Sequence, residues 1–354
     1  MSDGQLQVVF GTGQVGRTLS ALLAERGLAV RAVSRNRPQG LAEGVEWQAA
    51  DAGDPDAATA AARGASVIYQ CLNAPYSNWQ KLFPPLQRGV LSAAEHNAAL
   101  LVSLENLYAY GPTEGRPMKE DLPLSATTVK GATRAAMTKE LFAASDEGRV
   151  RIAIGRASDF FGAGVTETTL GERVFANALA GKRAEFIGNP DLPHTYSYVP
   201  DVAAGLATLG SDPRAVGEVW HLPGPETLTT SAVLALIAAE VGHPLGIRPV
   251  PKLLLRALGL FNPMIRALAE VAYEFEEPFV LDTAKFARTF GGSATPLPSA
   301  IAATVAWYRR RSAAPTSQEG TTPWTAPSPS PPPPAAPLSA SAARTAQPPD
   351  SESS

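Results

Sequence analysis

The sequence predicts an α/β protein: a doubly wound parallel sheet with a smaller C-terminal lobe and a disordered tail. Three observations lead there. Short apolar strands alternate with amphipathic helices through the first half of the chain. A strand, a glycine turn and a helix follow one another near the N-terminus. From Ser312 onward the composition narrows to Pro, Ala, Ser and Thr, with a proline run from Pro331 to Pro334 and too few large apolar groups to order it. The expected division is a nucleotide-binding core over 1–165, a substrate lobe with late core elements interleaved over 166–311, and the tail over 312–354.

The bulk numbers agree with this. With 354 residues, 45% of them hydrophobic and 18% charged, the chain has enough apolar mass for a large core. A formal net charge of −3 gives no electrostatic reason to expect nucleic acid or an anionic membrane as partner. A single cysteine, Cys71, excludes an internal disulfide framework. The opening MSDGQLQ lacks a basic flank and an apolar signal core, and no apolar run reaches membrane-spanning length, so a soluble cytoplasmic protein is expected.

The N-terminal element organises the rest. Gln5 to Phe10 reads as a strand, Gly11, Gly13 and Gly16 form G-x-G-x-x-G, and Val15, Leu19, Leu22 and Leu23 recur at helical spacing up to Gly27. Gly11 permits the sharp turn, Gly13 lets a pyrophosphate approach bare backbone, and Gly16 lets helix pack on strand. The turn residues Gly11, Thr12, Gly13, Gln14, Val15 and Gly16 are therefore expected to hold a dinucleotide at the positive end of the helix. A second strand, Ala29 to Ser34, leads into Ser34-Arg35-Asn36-Arg37. A site for NAD usually places a carboxylate here. Two guanidiniums suit a 2′-phosphate instead, so Ser34, Arg35 and Arg37 favour NADP, with NAD as the alternative.

Further strands are expected at Val45–Gln48, Val67–Cys71, Leu100–Leu104 and Arg151–Ile154, with helices from Asp54 to about Arg63, from Trp79 to Asn97 and from Lys130 to Ala144. In such a sheet ligands sit beyond the carboxyl ends of the strands near the switch point. Asp51, Cys71, Leu72 and Asn73 are thus candidates to line the cofactor, Cys71 as a small apolar residue more than as a reactive thiol. Past strand six the spacing predicts helices at Thr169–Ala180, Val202–Leu209, Thr229–Val241 and Ile301–Arg311, and extended segments at Thr195–Val199 and Glu218–Leu222. Lys252 to Tyr273 is apolar, broken by Pro263, and reads as a lid or a core-facing helix pair. No histidine pair has metal-ligand spacing, so no metal site is expected.

Several ordered motifs resemble the extended short-chain dehydrogenase/reductase family, in its atypical branch, the group that contains nucleotide-sugar epimerases and dehydratases. They are the glycine turn, Tyr110-Gly111-Pro112 after a strand, the lysine-bearing helix, Arg156-Ala157-Ser158-Asp159-Phe160-Phe161-Gly162, and Tyr198-Val199-Pro200-Asp201-Val202-Ala203. The resemblance covers about Gln5 to Arg311 and implies a Rossmann-type core, a nicotinamide cofactor and a small-molecule substrate, with a homodimer allowed. It also implies a Tyr-x-x-x-Lys pair, in which lysine holds the nicotinamide ribose and tyrosine moves a proton. Lys130 fits the lysine, but Ala126 stands four residues upstream, and Asn106 replaces the expected Ser or Thr. Three readings stay open: an oxidoreductase or epimerase whose acid comes from elsewhere, with Tyr108 and Tyr110 nearest and Tyr196, Tyr198 or His194 reaching in; a cofactor-binding regulator; or hydride transfer to a carbonyl or enone with solvent as proton source. Arg156, Ser158, Asp159, Phe160 and Tyr196 are the expected substrate contacts.

Overall fold

A computed structural model describes residues 5–250, 260–292 and 294–313. Seven strands form one parallel sheet: β1 (Leu6–Phe10), β2 (Val30–Ser34), β3 (Val45–Ala49), β4 (Ala65–Gln70), β5 (Leu100–Glu105), β6 (Arg151–Arg156) and the strand Val219–His221. From one edge the order is Val219–His221, β6, β5, β4, β1, β2, β3, so the chain reverses its direction of travel between β1 and β4. That reversal opens a crevice above their carboxyl ends, where a doubly wound sheet binds its ligand. The expected strands two to six are all present; β5 and β6 run one and two residues further than the sequence pattern suggested, which brings Glu105 and Arg156 into the ladder opposite each other.

Both faces of the sheet are covered, as its unbroken apolar strands require. Val9 on β1 faces α1 (Gln14–Glu25) and the helix Val199–Ser211, in a core with Leu19, Leu23, Val202 and Leu206. Val8 and Phe10 face the other way, with Ile68 and Ile152, toward α2 (Pro55–Ala61), α3 (Trp79–His96) and α4 (Val129–Asp146). The alternation along one strand thus assigns the two layers. A third core, around Phe161, Phe175, Tyr196, Tyr198, Ile237, Ile301 and Tyr308, unites the helices of the second half.

The last helix spans Leu297–Ala313, so Ser312 and Ala313, expected to begin the tail, are helical. Their short side chains extend the helix that Tyr308 anchors by its hydroxyl bond to the Val165 carbonyl, 2.7 Å away. The remainder of the tail and the N-terminal part of the Lys252–Tyr273 pair lie outside the described residues; the second part of that pair is the helix Pro263–Glu270. No helix among the described residues is long and apolar enough to cross a membrane, and no cluster of His, Cys, Asp or Glu among them has the makings of a metal site.

Candidate active site

The glycine turn lies at the switch point. Gly11 donates its N–H to the Val33 carbonyl on one side, and Cys71 donates to the Phe10 carbonyl on the other, at 2.9 and 2.8 Å. Gly11 has φ +99°, and a Cβ there would stand 2.5 Å from the Cys71 carbonyl oxygen. A Cβ on Gly16 would stand 1.9 Å from the Gly11 carbonyl oxygen. On Gly13, by contrast, it would meet nothing within 4 Å. Two glycines close the turn and the middle one fronts open space. Gly13 caps α1 without any side-chain bond to the first N–H groups, and the first turn holds no acidic residue. These are the features a pyrophosphate needs, so the residues fit a dinucleotide.

Beyond β2, Arg35 and Arg37 are exposed, and the Arg37 guanidinium lies 5.9 Å from the Trp47 ring centre. Ser34 is engaged: its hydroxyl accepts from Trp47 Nε1 at 3.0 Å and donates to the Asn36 carbonyl. The structure adds Arg17, on the first turns of α1, which donates to Gln14 Oε1 and to the Gln39 carbonyl at 3.0 and 3.1 Å. Its spacing from Gln14, one helical turn, was a legible clue. Beyond β3 Asp51 accepts from the Gly53 N–H at 2.9 Å, and beyond β4, across the switch point, Asn73 Oδ1 accepts from Trp79 Nε1 at 3.0 Å. Burial pushes the Cys71 thiol up to about 12, so it is a neutral wall residue beside the turn. Leu72 packs between the cores on that side.

At the chemical end the structure departs from the expected pairing. Thr128 caps α4, accepting from the Gly131 N–H at 3.1 Å, and Val129 is the first helical residue. Ala126 therefore lies outside the helix, in contact with Gly111 and Gly131. The residue one helical turn from Lys130 on the same face is Arg134, not residue 126. Lys130 itself is 3% exposed: Nζ donates to Glu270 Oε2 at 2.7 Å and to the Ala267 carbonyl at 3.0 Å, while its backbone N–H donates to Glu270 Oε1 at 2.7 Å. Lys130 Nζ also lies 4.9 Å from the centre of the Tyr76 ring, and the Tyr76 hydroxyl is hydrogen-bonded to that of Tyr108. Asn106 Oδ1 faces the Tyr108 N–H at 3.4 Å.

The other tyrosines that the sequence singled out pack elsewhere. Tyr110 Oη lies 2.8 Å from His221 Nε2, and burial holds that imidazole down near 3, so it is neutral. Tyr196 Oη lies 2.8 Å from Thr230 Oγ1 in the C-terminal core. Tyr198 is tilted against Phe161.

Below the site one carboxylate serves two guanidiniums. Glu105 Oε2 accepts from Arg156 Nε at 3.1 Å, Glu105 Oε1 is 3.7 Å from Arg134 Nη2, and Thr138 donates to the same carboxylate at 2.9 Å. All three charged side chains are at most 2% exposed. Burial, and then repulsion from Arg156, works against the Arg134 charge while Glu105 supports it; the net effect is downward. Arg156 is thus buried and engaged with Glu105, which it shares with Arg134, and is not exposed for the substrate contact expected of it. Asp159 lies 3.1 Å from His194 Nε2, and half-buried Phe160 pairs in register with Ser197. Among the described residues, Ser158 Oγ, Tyr273 Oη and Glu274 Oε1 are buried with no hydrogen-bond partner. Burial, reinforced by Asp159, raises the Glu274 carboxyl well above its usual range.

The sequence profile of the NAD dependent epimerase/dehydratase family matches residues 8–222, more than half of the chain. The protein belongs to that family. It is the group to which the ordered motifs pointed. Solved structures share the fold. A dTDP-glucose 4,6-dehydratase from Streptomyces venezuelae, with NAD bound, aligns with a TM-score of 0.70 at 19% identity, over 86% of this chain and 96% of its own. A UDP-N-acetylglucosamine 4-epimerase from Bacillus cereus aligns at 0.69 and 15% identity, over 88% and 98%. The UDP-glucose 4-epimerase of Thermus thermophilus, a complex with NAD, aligns at 0.68 and 18%, over 86% and 99%. No curated protein sequence matches the chain.

Within this epimerase/dehydratase-family protein, sequence reasoning missed Tyr76, Glu270 and Glu274. Tyr76 follows the Asn73-Ala74-Pro75 turn, so its place at a strand's carboxyl end was legible. Nothing in the sequence tied Glu270 to Lys130, 140 residues away.

Proposed function

We propose that the protein is an NADP(H)-dependent oxidoreductase or epimerase that acts on a carbonyl, hydroxyl or enone carbon of a small molecule. The single observation that carries the reading is the cradle at Gly13: two glycines with no room for a side chain enclose a third that faces free space at an uncapped helix N-terminus. A nicotinamide dinucleotide bound there supplies or accepts hydride at the other end of the cleft. Arg35 and Arg37, with Arg17 beside them, would receive a 2′-phosphate through forked hydrogen bonds, which favours NADP over the NAD named for several structural neighbours. The unpartnered Ser158, Tyr273 and Glu274 would meet the polar groups of the substrate, because buried polar atoms rarely stay unsatisfied.

Isothermal titration of the purified protein with NADPH and NADH tests this. Tighter binding of NADPH is expected; tighter NADH binding overturns the arginine argument, and no heat from either at millimolar levels overturns the cofactor. A non-catalytic cofactor sensor is the second reading. It is favoured by one observation, that Lys130 spends its donors on Glu270 and the Ala267 carbonyl and not on a free cleft. Turnover of a panel of aldehydes, quinones and enones with NADPH separates the two, since a sensor has no turnover.

A further inference from the structure

We propose that Tyr76 is the proton donor of this site, activated by Lys130 across the face of its ring and by Tyr108 at its oxygen. The inference rests on the oxidoreductase reading above. The helix that should carry both partners holds Lys130, with Arg134 one turn on, and has no tyrosine. A phenol must therefore reach Lys130 from another element.

Tyr76 does so. It opens the short turn Tyr76–Asn78 that follows the carboxyl end of β4, the edge of the cleft. Its ring meets Trp79 edge-on at 5.2 Å and Tyr108 at 6.4 Å, so its orientation is set by packing. Lys130 Nζ lies 4.9 Å from the ring centre and is held there by Glu270 and the Ala267 carbonyl. Glu270 is a positioning residue in this arrangement. The two hydroxyls of Tyr76 and Tyr108 share one hydrogen bond and hold two protons, which leaves one proton for a substrate. When Tyr76 gives up that proton, Tyr108 donates into the new phenolate and the ammonium faces a ring that has become anionic.

The charged and titratable groups around Tyr76 are Lys130, Tyr108, Glu274, Asp159 and Tyr273. Burial first, and the carboxyl groups next, keep the phenol protonated, the form a donor needs. Tyr273, whose hydroxyl has no partner among the described residues, is the competing phenol. Burial and carboxyl groups keep that phenol protonated too, but among the described residues no lysine or arginine stands over its ring as Lys130 stands over that of Tyr76. In the reductive direction the substrate's carbonyl carbon accepts hydride and its oxygen takes the Tyr76 proton. Water then reprotonates the phenolate through Tyr108, leaving the dinucleotide oxidised.

The test uses the full chain with NADPH and three probes, 4-nitrobenzaldehyde, 9,10-phenanthrenequinone and cyclohexenone. Tyr76→Phe is expected to lower kcat by about 100-fold or more, with KM and the NADPH Kd within about twofold of wild type. Tyr108→Phe should lower kcat by about tenfold. In the unliganded protein, labelled with 3-fluorotyrosine, the 19F resonance lost in Tyr76→Phe identifies Tyr76, and Lys130→Met should shift that resonance at neutral pH, because the ammonium no longer stands over the ring. A wild type that binds NADPH but turns over no probe overturns the oxidoreductase reading, and this inference with it. A wild type that turns over while Tyr76→Phe keeps its kcat, or a Tyr76 resonance that Lys130→Met leaves unmoved, overturns the Tyr76 assignment alone.

Discussion

The two ends of the cleft are built on different scales. The proposed phosphate cradle comes from six consecutive residues, Gly11 to Gly16, whose geometry follows from missing side chains and from one helix start. The proposed chemical end comes from four distant segments, bringing Tyr76, Tyr108, Lys130 and Glu270 together. A backbone site is coded by spacing along the chain, because the N–H groups that do the binding are present at every residue. A proton-transfer site depends on particular side chains meeting, and only packing decides which ones meet.

The largest test of this contrast lies under the chemical end. Glu105→Ala leaves Arg134 and Arg156 buried without their shared carboxylate and should cost about 3–5 kcal/mol in denaturant unfolding. A loss under about 1 kcal/mol would mean that water or another acceptor balances those charges.

Within the cradle, Gly16→Ala forces a Cβ onto the Gly11 carbonyl and should cost about 1–3 kcal/mol along with coenzyme binding. Gly13→Ala has free space in the unliganded protein. It should keep its melting temperature, yet bind NADPH at least about tenfold more weakly, a loss of about 1.4 kcal/mol. If Gly13→Ala binds normally, the open space at that residue is not where the phosphates lie.

Smaller effects sharpen the comparison. Replacing both Arg35 and Arg37 by Ala should weaken NADPH about tenfold and leave NADH unchanged, read by titration calorimetry. Glu274 tests the unpartnered buried groups through pH. Burial and Asp159 hold its folded-state value far above 4.5, so the folded protein keeps a proton that the unfolded chain releases. Below pH 4.5 the group is neutral in both states and costs nothing through ionisation. As pH rises from there toward the folded-state value, stability falls, and above that value the slope vanishes. Glu274→Gln should flatten this decline and be more stable than wild type at neutral pH; equal slopes in the two proteins would show that the carboxyl is not held neutral.

Much of the core was legible. Strand existence and order of appearance followed from apolar runs between turns, and the glycine spacing located the switch point before any topology was known. Around Lys130 the chain alone said less. The loop before α4 bends away at Thr128, so four residues upstream is not one helical turn upstream. Tyr110 and Tyr196 likewise looked available in sequence, and His221 and Thr230 claimed their hydroxyls in the fold.

By itself the sequence determined the alternation of strands and helices, the two-faced burial of the sheet and the glycine cradle, since each depends on periodicity or on a few adjacent residues. Only the tertiary structure decided which phenol stands under Lys130, that Glu270 is its counter-ion, and that Arg156 belongs to a buried triad with Glu105 and Arg134. Those relations join residues far apart in the chain, and close packing, not local pattern, selects them.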